Sequence, residues 1–250
     1  MEMADLYNYL IIENLNFLWI VVILLFFALS MSMMTKLGNK QTLPSTKRLY
    51  VGYVVFLIAL GISRFLNQVA NFYRDTSPLY TEDPNFQFFK RITYVLGLVA
   101  FAFLVFGFER HFLKMFFNSK GIFTLIPLII AVLSFFLEYA ILNKINYVGI
   151  GIDIVMVASL YVYVASKSTG HIRHASINSI IGIAFIGIGL FLNSTTMDSI
   201  FGEFAWLLTL IGTTMNIIGA MFVYTSTRQE KASKPKGKES AGWSVDQPPQ

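Results

Sequence analysis

Six stretches of this chain run for fifteen residues or more without Asp, Glu, Lys or Arg: 17–34, 49–63, 92–108, 121–137, 175–197 and 204–227. A seventh, 145–166, is broken by Asp153 alone. An α-helix rises about 1.5 Å per residue, so about 20 residues cross a hydrocarbon core about 30 Å thick. Each run reaches or approaches that length once its flanks are added. The runs are apolar on all sides, whereas strands of a membrane barrel alternate apolar and polar residues. Inside lipid every backbone group needs an internal partner, which a helix supplies by itself.

The expected fold is therefore all-α: a polytopic integral membrane seven-helix bundle in the cell membrane. Its helices fall at about 15–35, 49–72, 90–110, 121–142, 146–166, 176–195 and 203–226. Residues 1–227 form this domain, and residues 228–250 are polar and expected to be disordered. The composition agrees. Charged residues make up 13%, against about 25% in a soluble domain, which argues against a soluble globule. Cysteine is absent, which excludes disulfides, thiolate metal ligands and cysteine nucleophiles. The first run follows Glu2, Asp5 and Glu13 with no Lys or Arg before it. It lacks the basic start of a signal peptide and reads as a retained helix. Ser45 or Thr46 is the expected cap of the second helix.

The charges set an orientation. Of the 19 Lys and Arg residues, 14 lie in loops one, three and five and the tail, four lie on the opposite side, and Arg64 lies inside a helix. The positive-inside rule places the N-terminus outside and the C-terminus in the cytoplasm. Trp19, Tyr50 and Trp206 sit near run ends, where interfacial aromatics are expected. The net charge of +5 follows from this topology, so no nucleic-acid partner is expected. The expected partners are the lipid bilayer and a cytoplasmic protein contacting loops 36–48, 110–120 and 167–175 and the tail. The basic tail also suits anionic lipid head groups. The oligomeric state is left open.

Gly61-Ile62-Ser63-Arg64-Phe65-Leu66-Asn67 resembles Gly187-Ile188-Gly189-Leu190-Phe191-Leu192-Asn193 at an offset of 126 residues. Both segments lie toward the ends of helices two and six, which run in the same direction. A parallel three-plus-three repeat with helix four as linker would produce this offset. So would chance sharing of letters between two apolar stretches.

Arg64, Glu138 and Asp153 are the charges that fall within apolar segments. Counted along their helices, Arg64 lies about 22 Å and Glu138 about 25 Å from the cytoplasmic surface, and Asp153 about 10 Å below the outer one. All three reach the outer third of the bilayer. At about 100° per residue, Arg64, Asn67, Asn71 and Arg74 fall within an arc of about 80°, and Tyr53 and Leu57 continue that face inward. A polar stripe on a membrane helix is expected to face protein or water, because a charge at the bilayer centre costs at least about 2.5–3.5 kcal/mol.

The candidate ligand- or ion-binding residues are Arg64, Asn67, Asn71, Glu138, Asp153 and Asn193, with Tyr94 and Glu203 near enough in depth to join them. Asp153 is the deepest and too short to snorkel. The competing readings are a static ion pair locking helices two, four and five, and snorkelling of Arg64 and Glu138. Thr213, Thr214 and Asn216 read as interhelical hydrogen-bond donors, and Asn178 as the start of helix six. Gly149, Gly151, Gly182, Gly187, Gly189, Gly212 and Gly219 read as close-packing positions, and Pro127 as a bend in helix four.

His111, His171 and His174 fall in cytoplasmic loops, so no transmembrane pair can ligate haem. No P-loop, Rossmann glycine pattern or serine-nucleophile elbow occurs, and no enzyme, metal site or cofactor is expected. Seven helices with an outside N-terminus in 250 residues resemble the plan of microbial rhodopsins and other seven-helix receptors. That resemblance covers length and topology. It implies no bound retinal, because residues 204–227 contain no lysine for a Schiff base. The plan also looks like that of the small sugar-transporting seven-helix proteins with three-plus-three repeats, without their proline–glutamine signature.

Three functions fit. The first is a receptor-like or sensory protein binding a small ligand or cation in an outward-facing polar pocket. With 23 residues in the tail and no fused output domain expected, it would signal through a partner. The second is a small transporter or channel component coupled to protons or cations through Asp153 or Glu138. The third is a structural subunit of a membrane complex.

Overall fold

The computed structural model describes residues 9, 16–38, 44–76, 79, 82–108, 121–137, 139–167, 170–193 and 204–228. Seven helices occupy them: α1 Asn16–Leu37, α2 Pro44–Thr76, α3 Pro84–Phe108, α4 Ile122–Ser134, α5 Tyr139–Lys167, α6 Gly170–Leu192 and α7 Ala205–Arg228. Among the described residues there is no strand. Five segments are long and apolar enough to cross a membrane: Asn16–Thr35, Tyr50–Thr76, Pro84–Phe106, Arg173–Leu192 and Trp206–Ser226. Shorter apolar segments, Phe123–Ser134 and Ile154–Ser166, come from α4 and α5. The chain is an all-α, multi-pass membrane bundle.

Local chemistry places the helix ends away from the expected ones. α2 begins at Pro44, where the fixed φ of proline suits the first helical position. Ser45 and Thr46 thus lie inside its first turn and not at its cap. α3 begins at Pro84 and not near 90. The Asp83 carboxylate accepts from the backbone N–H groups of Asn85 at 2.7 Å and Phe86 at 3.3 Å. This is an aspartate cap followed by proline, and it moves Lys90 and Arg91 from the first positions of the expected helix to the second turn of α3. α4 starts after Gly121, whose φ of 92° favours glycine, runs through Pro127 and ends at Ser134, short of 142. A tight turn follows, with Phe135 and Phe136 N–H groups donating to Val132 and Leu133 carbonyls at 3.1 and 3.0 Å. The turn is built from Phe135, Phe136 and Leu137, so the apolar run conceals it. α6 starts at Gly170 and takes His171 and His174 out of the loop.

The helices form a closed ring. α1 packs on α2, α2 on α3, α3 on α5, α5 on α6, α6 on α7, and α7 returns to α1. α4 lies outside the ring, against α3 and α5. The ring has an internal correspondence. Pairing α1, α2 and α3 with α5, α6 and α7 maps every ring contact onto another, including the two seams α7–α1 and α3–α5. Gly61 of α2 backs onto Phe27 of α1, and Gly187 of α6 backs onto Ile154 of α5. Any ring of six helices in chain order maps onto itself in this way, so these contacts accommodate a three-plus-three repeat without requiring one.

α6 and α7 approach backbone to backbone. A Cβ on Gly182 would come within 2.7 Å of the Gly219 carbonyl oxygen, and one on Gly219 within 2.5 Å of the Gly182 oxygen. Gly189 and Gly212 face each other in the same way, with Asn216 over Gly189 and Asn193 over Gly212. Small residues let helices approach where lipid supplies no hydrophobic drive. Gly151 differs, because a Cβ there would meet nothing within 4 Å.

One further expectation is corrected. Thr213, Thr214 and Asn216 donate to the Thr209, Leu210 and Gly212 carbonyls of their own helix, not across helices. Trp19, Tyr50 and Trp206 lie near the ends of their spans, Trp19 and Tyr50 buried against protein and Trp206 exposed.

The glycine seam predicts an asymmetry between substitutions. Gly219→Val should lower the unfolding free energy by about 1–3 kcal/mol through overpacking, while Gly151→Val should leave it nearly unchanged. Thermal unfolding of the two purified variants checks this, and equal stability contradicts the close approach.

Candidate functional site

α2 positions the candidate site. Its 33 residues span about 50 Å, more than the roughly 30 Å hydrocarbon core, so its ends project beyond that core. Tyr53 and Asn71 are five turns apart and share one azimuth, and Leu57, Leu60, Arg64 and Asn67 fall within about 40° of it. The face is buried at Tyr53, Leu57, Leu60 and Asn67.

At the end opposite the tail, this face meets α3. The Lys90 ammonium donates to Asn67 Oδ1 at 2.8 Å and to Asn71 Oδ1 at 3.3 Å, and lies 5.8 Å from the centre of the Phe86 ring. Lys90 is 3% exposed. One turn away, Ser63 Oγ donates to the Thr93 carbonyl at 2.9 Å. Gln68 Oε1 and Thr93 Oγ1 are buried with no hydrogen-bond partner among the described residues. The Arg64 guanidinium lies 5.7 Å from the centre of the Trp19 ring on α1. Arg91 reaches the other way and donates to the Phe135 carbonyl at 3.2 Å, satisfying a backbone oxygen of the turn after α4.

Beyond this cluster, Tyr9 closes the end of α2. Its hydroxyl donates to Asp75 Oδ2 at 2.6 Å, and its ring meets Phe72 edge-on at 5.3 Å. Burial and the Asp75 carboxylate both push the Tyr9 hydroxyl well above its ordinary pKa. Asp75 Oδ1 also accepts a hydrogen bond from Arg74 Nε at 2.8 Å.

At the tail end, the same face of α2 carries a second polar cluster. The Tyr53 hydroxyl is hydrogen-bonded to the Tyr161 hydroxyl of α5 and lies 3.1 Å from Ser179 Oγ of α6. Ser226 Oγ of α7 donates to the Val223 carbonyl of its own helix at 2.7 Å. All four side chains are buried.

The structure brings Asn67 and Asn71 together through Lys90 and places Arg64 beside them on α2. Asn193 sits at the end of α6, donating to the Gly189 carbonyl at 2.8 Å, and packs against Gly212 on α7. Asp153 belongs to α5, but its side chain lies outside the described residues. Glu138, between α4 and α5, and Glu203 lie outside them as well. Tyr94 is buried on α3. The restriction of embedded charge to Arg64, Glu138 and Asp153 is corrected by Lys90. The Asp83–Pro84 pair is the signal that places Lys90 within α3. Tyr161, Ser179 and Ser226 carried no signal of their own, because a tyrosine or serine in an apolar run reads as part of the run. Among the described residues no group of three or more His, Asp or Glu side chains gathers to hold a metal.

The chain matches no protein-family model, no curated protein and no solved structure.

Tyr9 supplies a pH test. Its neutral hydroxyl is favoured in the folded state, so its contribution is fully present below the unfolded value near 10 and is lost as the pH rises above it. Thermal stability of the wild type should fall above about pH 10 more steeply than that of Tyr9→Phe. Parallel curves contradict the Tyr9–Asp75 contact.

Proposed function

We propose that the chain is a receptor-like seven-helix membrane protein that binds a small polar ligand at the α2–α3 cluster opposite the tail. The observation that carries this reading is Lys90, an ammonium held at 3% exposure by two asparagine side chains. An ionisable residue embedded in a membrane bundle is costly, and such groups are kept where they meet a ligand, an ion path or a partner. Gln68 and Thr93 add a buried amide oxygen and hydroxyl that a polar ligand could engage. The charge bias of the loops supports an outside position for this end. The output would then pass to a cytoplasmic partner at the basic loops.

A second reading, a small transporter, draws on the correspondence between α1–α3 and α5–α7. Many transporters are built from such paired units. Proton- or cation-driven flux in proteoliposomes that Asp153→Asn abolishes favours this second reading over the first.

The ligand reading is tested by thermal shift against a panel of amino acids, dicarboxylates, inorganic anions and cations. At least one compound should raise the melting temperature of the wild type, and Lys90→Met should lose that shift while Thr225→Ala keeps it. A shift retained in Lys90→Met contradicts the assignment of Lys90.

A further inference from the structure

α4 stands outside the ring, on α3 and α5, and it is short. Its 13 residues rise about 20 Å, against about 34 Å for the 23-residue span Pro84–Phe106 of α3. A hydrocarbon core is about 30 Å thick, so α4 does not cross it. Arg91 fixes where α4 stops, because it donates to the Phe135 carbonyl in the turn that follows. Arg91 lies seven residues into α3, so this turn sits about 10 Å short of the Pro84 end. A step is left there, walled by the first two turns of α3 and floored by the turn after α4.

The surface of the step is apolar and exposed. Phe136 stands on its floor at 83% exposure, and Phe88 flanks Arg91 one turn earlier on α3, also exposed. Below the floor, Ile129 and Val132 form an exposed outward face of α4. Arg91 is the cation amid these side chains. One of its N–H groups goes to Phe135, and its Nε has no hydrogen-bond partner among the described residues. A guanidinium carries five N–H donors, so most of its hydrogen-bonding capacity is unspent. A charge and a non-helical turn facing lipid are both costly at membrane depth. Both costs fall if an anionic oxygen group reaches the step.

We propose that a phospholipid from the leaflet opposite the tail occupies this step, with its phosphate on the Arg91 guanidinium and its acyl chains along Phe136, Val132 and Ile129. Guanidinium and phosphate match in charge and in two-pronged geometry. The order of groups down the step, cation and then apolar face, is the order of phosphate and chains in the lipid. The lipid also fills the height that α4 lacks, which relieves the mismatch between a short helix and the bilayer. Lys90 reaches α2 and Arg91 reaches the turn after α4, so the lipid site is separate from the α2–α3 cluster and does not require that cluster to bind a ligand.

The full chain, purified in detergent, is titrated with dioleoylphosphatidylcholine and with dioleoylglycerol, which has the same chains and no phosphate. Native mass spectrometry counts the bound lipid. The wild type should hold one phosphatidylcholine at least about tenfold more tightly than the glycerolipid, the factor expected for hydrogen bonds between charged groups. Arg91→Gln should abolish that preference by weakening phosphatidylcholine alone. Arg173→Gln, at an exposed position near the tail end of α6, should leave it intact. Phe136→Ala, which keeps the Arg91 contact to the Phe135 carbonyl, should weaken both lipids about threefold through lost apolar contact. Equal binding of the two lipids by the wild type overturns the proposal. So does a preference that survives Arg91→Gln or is lost equally in Arg173→Gln. If Arg91→Gln fails to fold, unchanged binding in Phe136→Ala overturns it. A protein dimer that Phe136→Ala dissociates and that binds no phospholipid overturns it as well.

Discussion

A polar face on a membrane helix cannot be left against lipid, and the bundle is arranged around that constraint on α2. Its buried line from Tyr53 to Asn71 needs protein partners along its whole length, and it takes them from different helices at different depths. Lys90 and the Thr93 carbonyl come from α3, and Tyr161 and Ser179 come from α5 and α6. Trp19 of α1 covers the Arg64 guanidinium. Each partner fixes the rotation of its own helix. Hydrogen bonding thus supplies the specificity that apolar burial, which scarcely distinguishes lipid from protein, does not.

The second organising feature is the close packing of neighbouring helices in the ring. It depends on small residues where backbones must approach. Gly182, Gly189, Gly212 and Gly219 let α6 and α7 touch, and Gly187 receives Ile154 of α5. In the first half of the ring the α2–α3 contact is made by larger groups, such as the edge-on pair Phe56–Phe101 at 5.5 Å and the polar Lys90 cluster. The two halves thus differ in what fills their contacts. Polar chemistry is concentrated in the first and close backbone contact in the second. A ligand site on α2–α3 fits that division, because the α6–α7 seam leaves little room between its helices.

Much of this was legible before any coordinates. Long uncharged runs carry the helix count, since a bilayer admits few other structures. The stripe on α2 was visible from its period, and two of its members, Asn67 and Asn71, do share a partner. What was not legible has a physical reason in each case. The turn at Phe135–Leu137 consists of apolar residues, so hydropathy runs straight through it. Lys90 reads as the first residue of its helix, at the membrane surface, unless Asp83–Pro84 is taken as the helix start. Tyr161 and Ser179 are ordinary letters within apolar helices, and their meeting with Tyr53 depends on which helices become neighbours. Thr213 and Asn216 read as ties between helices, but their own turns already offered acceptors four residues back.

Lys90 and the asparagines of α2 form one polar unit. A double-mutant cycle on unfolding free energy, with Lys90→Met and Asn67→Leu, measures this most directly. The expected coupling is at least about 1 kcal/mol, with the double variant less destabilised than the sum of the singles. Additive effects would contradict it.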